Sequence, residues 1–170
     1  MASIFQGVIE NTGIFAPATE TKKAEYSEIY NKHCHRIYSL AFWMTDHELA
    51  AEQLATDTFL RAFSSSSAPR TEQIDQAFLA EVREFTVIGN LTLNVTPSQD
   101  LKDVRQNVKR IYLERAVVQL PATEKLIFLL HDVEGYEHER IGKLLGISAN
   151  ESKLGLHHAR VQVRELVARM

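Results

Sequence analysis

The sequence predicts an all-α protein built from two small helical domains joined by a linker. Three observations carry this. Apolar residues recur with a period near 3.6 through most of the 170 residues, the spacing that lines one face of a helix. Only 7 glycines and 4 prolines are present, so long helices run with few interruptions. The stretch Thr96-Pro97-Ser98-Gln99-Asp100 breaks the pattern and divides it into two groups, as a linker does. The expected organisation is an N-terminal extension over 1–21, a helical domain over 22–95, a linker over 96–109 and a second helical domain over 110–170.

Residues 22–45 place Tyr26, Ile29, Tyr30, Ile37, Leu40, Ala41 and Met44 at helical spacing. Residues 47–63 read as a second helix, with Ala50, Leu54, Phe59 and Phe63 toward a core and Glu52, Gln53, Asp57 and Arg61 outward. Ser64 to Ser67 with Pro69 form a loop. Thr71 is the expected N-cap of a third helix through Phe85, with Ile74, Phe78, Val82 and Phe85 on one side. Residues 85–96, FTVIGNLTLNVT, are rich in β-branched side chains, and Gly89-Asn90 offers a turn. A short hairpin and a helix end overridden by context both fit. Residues 101–119 read as a helix with Val104, Val108, Ile111, Tyr112, Ala116 and Val117 apolar. Leu120-Pro121 restarts the chain, proline suiting a first helical position. An apolar helix over 122–132 follows, with Leu126, Ile127, Leu129 and Leu130.

The last fifty residues hold the most informative pattern. Residues 138–145 (HERIGKLL) place Ile141, Leu144 and Leu145 as a short amphipathic helix. Gly146 supplies the permissive backbone for a sharp turn, and Ile147 is an apolar plug. Ser148 and Glu151 form an S-x-x-E capping box that opens a final helix to about Ala168. Its inner face is expected to hold Ser152, Leu156, Ala159, Val163 and Leu166. Two helices joined by a glycine turn suit a helix-turn-helix that lays its second helix in a DNA major groove. A plain helical hairpin in a bundle has the same bare pattern.

Bulk properties narrow the classes. Hydrophobic residues are 45% and charged residues 24%, an ordinary globular balance. The net charge of −3 argues against coating DNA by charge alone. Basic residues gather toward the C-terminal half. Lys102, Arg105, Lys109, Arg110 and Arg115 face two acids, and Lys153, Arg160, Arg164 and Arg169 face two more. A single cysteine, Cys34, excludes an internal disulfide and fits a reducing cytoplasm. No stretch has the length of a membrane span, and the start lacks the basic leader of a signal peptide. His33-Cys34-His35 has metal-ligand chemistry, but successive helical residues point about 100° apart and do not converge. No nucleophile–base set, phosphate loop or carboxylate pair stands out, so neither an enzyme nor a cofactor is expected.

The order of parts resembles the extracytoplasmic-function group of bacterial RNA polymerase sigma factors. Residues 51–63 (AEQLATDTFLRAF) are similar to the family's AEDLxQETFLRAW in region two. Leu120-Pro121 followed by residues 128–136 (FLLHDVEGY) is similar to LPxxxRxxFLLrdvEGlsy in region four. Residues 141–148 (IGKLLGIS) are similar to IAeLLGIS, and 156–160 (LHHAR) to LhRAR.

The resemblance implies an alternative sigma factor that binds core RNA polymerase through the β′ clamp helices and the β flap. It further implies promoter DNA and an anti-sigma factor as partners, with no membrane. By position, Glu52, Gln53, Asp57 and Arg61 fall on the clamp-binding surface. Asn150, Glu151, Lys153, Leu154, Gly155, His157 and His158 are the outward residues of the reading helix, and Lys153, Arg160 and Arg164 pair with phosphates. Departures from the family open a second reading, a sigma-fold interaction protein with degenerate promoter recognition. Residues 151–156 (ESKLGL) stand where the family has T-V-K-S-R-L, with Gly155 in place of an arginine. Region two's DNA-opening helix keeps Phe78 and Arg83 but adds Glu81 and Glu84, and the spacing of Phe78 assigns it to the core.

Overall fold

The structure is a computed structural model that describes residues 20–92 and 110–170. Among these residues all regular structure is helical: seven α-helices and one π-helical turn. The N-terminal extension up to residue 19, the linker 96–109 and the linker-side basic residues Lys102, Arg105 and Lys109 lie outside the described residues, as do Val104 and Val108.

Helix α1 (Glu20–Thr45), α2 (Glu48–Ser65) and α3 (Thr71–Phe85) form the first unit. Asp46 ends α1 in the left-handed region at φ 50°, a conformation that a short polar side chain tolerates. His47 lies outside α2 as its cap, with Nδ1 accepting from the Ala50 N–H at 3.3 Å. The expected cap at Thr71 is displaced by one residue. Thr71 is already helical, and the Arg70 N–H donates to Gln73 Oε1 at 2.9 Å.

The core of this unit follows the helical stripes. Ala51, Leu54, Ala55, Thr58, Phe59 and Ala62 recur at three and four on α2 and are buried. Ala50 falls off that stripe and is exposed, against expectation. Tyr30 meets Phe59 edge-on, and Tyr26 meets Phe63, each at 4.9 Å between ring centres. On α3, Ile74, Phe78 and Val82 are buried, whereas Phe85, expected beside them, is 51% exposed because the helix ends there.

Residues 86–92 form neither a strand nor a helix, so the hairpin reading fails over this span. Residues 93–96 lie outside the described residues. The segment instead runs against the second unit. Gly89 N–H donates to Thr123 Oγ1 at 3.1 Å, and Thr92 N–H to Glu124 Oε1 at 2.6 Å.

The second unit holds α4 (Arg110–Val118), α5 (Ala122–Phe128), α6 (His138–Leu145) and α7 (Ala149–Arg169). Pro121 sits one position before α5 as its cap. The helix expected over 122–132 widens at Leu129–Val133 into a π-turn. There the Glu134 N–H reaches Leu129 O at 3.0 Å, a five-residue step. α3 packs on α6, and α1 on α4 and α5, so the buried apolar residues of both units join in one cluster.

Candidate functional site

The second unit folds around α6 and α7. Gly146, at φ 78°, closes α6, with its N–H bonded to Gly142 O at 2.9 Å. Gly142 is itself required by close approach: a Cβ there would lie 2.7 Å from Ile147 O. α7 then opens as the sequence predicts. Ser148 Oγ accepts from the Glu151 N–H at 3.1 Å, and Glu151 Oε2 accepts from the Ser148 N–H at 2.7 Å. These bonds hold the Glu151 carboxyl below the usual carboxylate range. A polar contact lies between the two helices, with His138 Nδ1 3.0 Å from the fully buried Ser152 Oγ.

The faces of α7 separate cleanly. Ser152, Gly155, Leu156, Ala159 and Val163 point inward. Asn150, Glu151, Lys153, Leu154, His157, Arg160 and Arg164 are exposed, as expected of a reading face. Gly155 is the correction. It was expected outward and is buried, because at about 100° per residue it shares the stripe of Ser152 and Ala159. A Cβ there would lie 2.5 Å from Ile127 Cδ1 and 2.8 Å from Leu91 Cδ2. His158 is half-buried rather than fully outward. Arg160 is not a free cation: Nε and Nη2 donate to the two Asp132 oxygens at 3.0 and 2.6 Å.

The candidate face on α2 divides in two. Gln53 and Arg61 are exposed, and Glu52 and Asp57 are half-buried. Gln53 Nε2 donates to both Asp57 oxygens, at 3.0 and 2.9 Å, one turn along the helix. Arg61 turns toward α3, where it pairs with Glu81 and lies 3.8 Å from Glu84. Phe78 is 2% exposed, in the core as its spacing predicts.

One cluster had no signal in the sequence. Asp75, buried on α3, accepts from Arg36 at 2.7 Å, from Tyr136 Oη at 2.8 Å and from Arg140 at 2.9 Å. The Arg140 guanidinium lies 3.7 Å over the Tyr136 ring. Burial, with the hydrogen bond to Asp75, pushes the Tyr136 phenol up to about 12. Tyr136 stands in the family-like string FLLHDVEGY, while nothing in the sequence marks Arg36, Asp75 or Arg140. His33 is buried, Cys34 half-buried and His35 exposed, and no metal-holding group of three such side chains occurs among the described residues.

This geometry defines a class: a two-part helical protein whose C-terminal half is a capped helix-turn-helix. A family model for sigma-70 region 4 matches residues 110–163. The chain is 27% identical over 178 aligned residues to the ECF RNA polymerase sigma factor SigE of Mycolicibacterium smegmatis, covering 93% of this chain and 68% of that protein. It is 25% identical to the RNA polymerase sigma factor CarQ of Myxococcus xanthus, over 85% of this chain and 90% of that one. The fold is that of the sigma factor RpoE solved with the anti-sigma factor NepR from Bartonella quintana, with a TM-score of 0.59 and 15% identity. That match covers 85% of this chain and 97% of the solved one. Through its C-terminal half and over most of its length the chain is thus similar to extracytoplasmic-function RNA polymerase sigma factors.

Proposed function

We propose that this chain is an alternative sigma factor, which binds core RNA polymerase and directs it to a set of promoters. The observation that carries the reading is the exposed face of α7. Asn150, Lys153, Leu154 and His157 stand clear of the core on a helix whose N-terminus is capped and whose inner face is fixed. Such a face suits a major groove, with Asn for a base edge and Leu for a thymine methyl. Lys153 and Arg164 serve phosphates. Glu52, Gln53, Asp57 and Arg61 supply the polymerase-facing surface, on which carboxylates steer a basic partner and set its register. The protein acts by binding, with no catalysis of its own, in the cytoplasm beside the polymerase. No described helix is long and apolar enough to cross a membrane. The proposal divides this labour between residues 22–95 and 110–170, and an anti-sigma factor, as bound to RpoE, is a further partner.

The second reading, an interaction protein with weak promoter function, is favoured by α3. Its aromatic Phe78 is buried and its Glu81 is paired with Arg61, so Phe78 is not available to stack on an unpaired base. Transcription with purified core polymerase on fragmented DNA of the source genome separates the two. Discrete transcripts that vanish with Lys153→Ala/Arg164→Ala, and polymerase binding that weakens with Asp57→Lys, sustain the sigma factor. Polymerase binding without transcripts selects the interaction protein.

A further inference from the structure

Two groups of contacts tie the units together. The first is the Asp75 cluster. Arg36 and Asp75 come from the first unit, Tyr136 and Arg140 from the second, and Tyr136 Oη also accepts from Arg36 at 3.0 Å. Glu134 Oε2 lies 3.7 Å from Arg36, and Glu72 Oε1 3.7 Å from Arg140. The second is the segment 86–92. Its Gly89 and Thr92 amides donate to Thr123 and Glu124, and the Thr92 hydroxyl reaches Glu124 at 2.7 Å. Leu91 sits in the space left by the missing side chain of Gly155. Between the two groups, Arg83 donates to Leu144 O at 3.2 Å, at the end of α6. Arg83 is the single basic residue of α3.

These contacts share one logic. A buried carboxylate that accepts from two guanidiniums and a phenol is costly to separate from them, because each donor and acceptor is left unpaired. Residues 86–92 belong to no helix, and the Gly89 and Thr92 amides are bonded to the second unit. Gly155, which reads as a defect in the reading helix, is the notch that admits Leu91. We infer that the Asp75 cluster and the Leu91–Gly155 notch form an intramolecular latch that holds the free chain closed and withholds Arg83 from DNA. The second half of this inference rests on the DNA-binding reading above.

Two measurements on the full chain test it. Hydrogen exchange is followed at the Gly89 and Thr92 amides, in the wild type and in Asp75→Asn. Asp75 bonds to neither residue, so a rise of about tenfold in their exchange marks release of the whole latch. Tyr136→Phe removes one hydroxyl and keeps the ring; it should act in the same direction and stands in if Asp75→Asn does not fold. Unchanged exchange in a folded variant overturns the latch. Affinity for the promoter fragment recovered above should rise several-fold in Asp75→Asn, and Arg83→Ala added to it should remove that gain. A missing gain, or one that persists without Arg83, overturns the withholding of Arg83. If no variant binds promoter DNA, the sigma reading fails at that point, and the exchange data still decide the latch.

Discussion

Asp132, in the π-turn, holds Arg160 of the reading helix through both carboxylate oxygens. Hydrogen bonds from Arg160 and His131 outweigh burial and keep the Asp132 carboxyl below the ordinary range. On the proposed reading, Arg160 would meet DNA with its charge already compensated. Lys153→Ala and Arg164→Ala should each flatten the salt dependence of promoter binding by about one unit of slope. Arg160→Ala should flatten it less, and Asp132→Asn should tighten binding. Anisotropy titrations across a salt series decide this; equal slopes for Arg160→Ala and Lys153→Ala would mean that the pair opens on DNA.

Gly155→Ala sets two effects against each other. Replacing a mid-helix glycine contributes about 1 kcal/mol of helix propensity. The new methyl meets the Ile127 and Leu91 side chains at 2.5 and 2.8 Å, and overpacking costs about 1–3 kcal/mol. Packing should win by roughly 1 kcal/mol, and Leu91→Ala in the same chain should recover much of the loss. Urea melts of the wild type and these two variants read the balance, and a more stable Gly155→Ala would show that the notch has slack.

Phe78→Ala should cost about 3–5 kcal/mol, as for a buried aromatic. Phe85→Ala, on a half-exposed ring at the end of the same helix, should cost well under half as much. Comparable losses at the two positions would contradict the core placement of Phe78.

Stability should fall on mild acidification. Burial, then the charges of His131 and Lys153, hold the His138 imidazole below 6.5. Burial, with Arg36 and Lys32 nearby, does the same for His33. Such groups take up protons more readily in the unfolded chain, so their stabilisation is complete above pH 6.5 and declines as pH falls through it. Glu134 works in the opposite sense in a lower window. Burial raises its carboxyl above 4.5, so its stabilising contribution is present below that pH and lost as pH rises through the folded value. The melting temperature should drop between about pH 7.5 and about pH 5.5. His33→Gln with His138→Gln should flatten that drop, and a drop of the same size in the double variant would exclude these two groups as its cause.

Much of the fold was legible because it rests on local rules. Helical stripes located Phe59, Phe78 and Ile141, and the Ser148–Glu151 box marked the start of α7 to the residue. Errors fell where long-range contact overrides local preference. The β-branched run after Phe85 carries strand propensity, but Glu124 and Thr123 capture its amides. Gly155 looked like a lost DNA contact because its partner, Leu91, lies 64 positions away in the sequence. Asp75 carried no mark at all: a carboxylate among helical polar residues reads as a solvated face until its three donors, from α1 and the second unit, are in view.

The π-turn gives chain length a meaning of its own. Leu129–Val133 holds one residue more than an α-helical turn requires. Adding a further residue there would exceed what one widened turn absorbs and rotate everything downstream by about 100°. His131 would leave His138, Asp132 would leave Arg160, and Tyr136 would swing away from Asp75 together. Lineages that inherit this fold are therefore expected to tolerate side-chain changes across 129–133 far more readily than an insertion, a bias that comparison of many related genomes would expose.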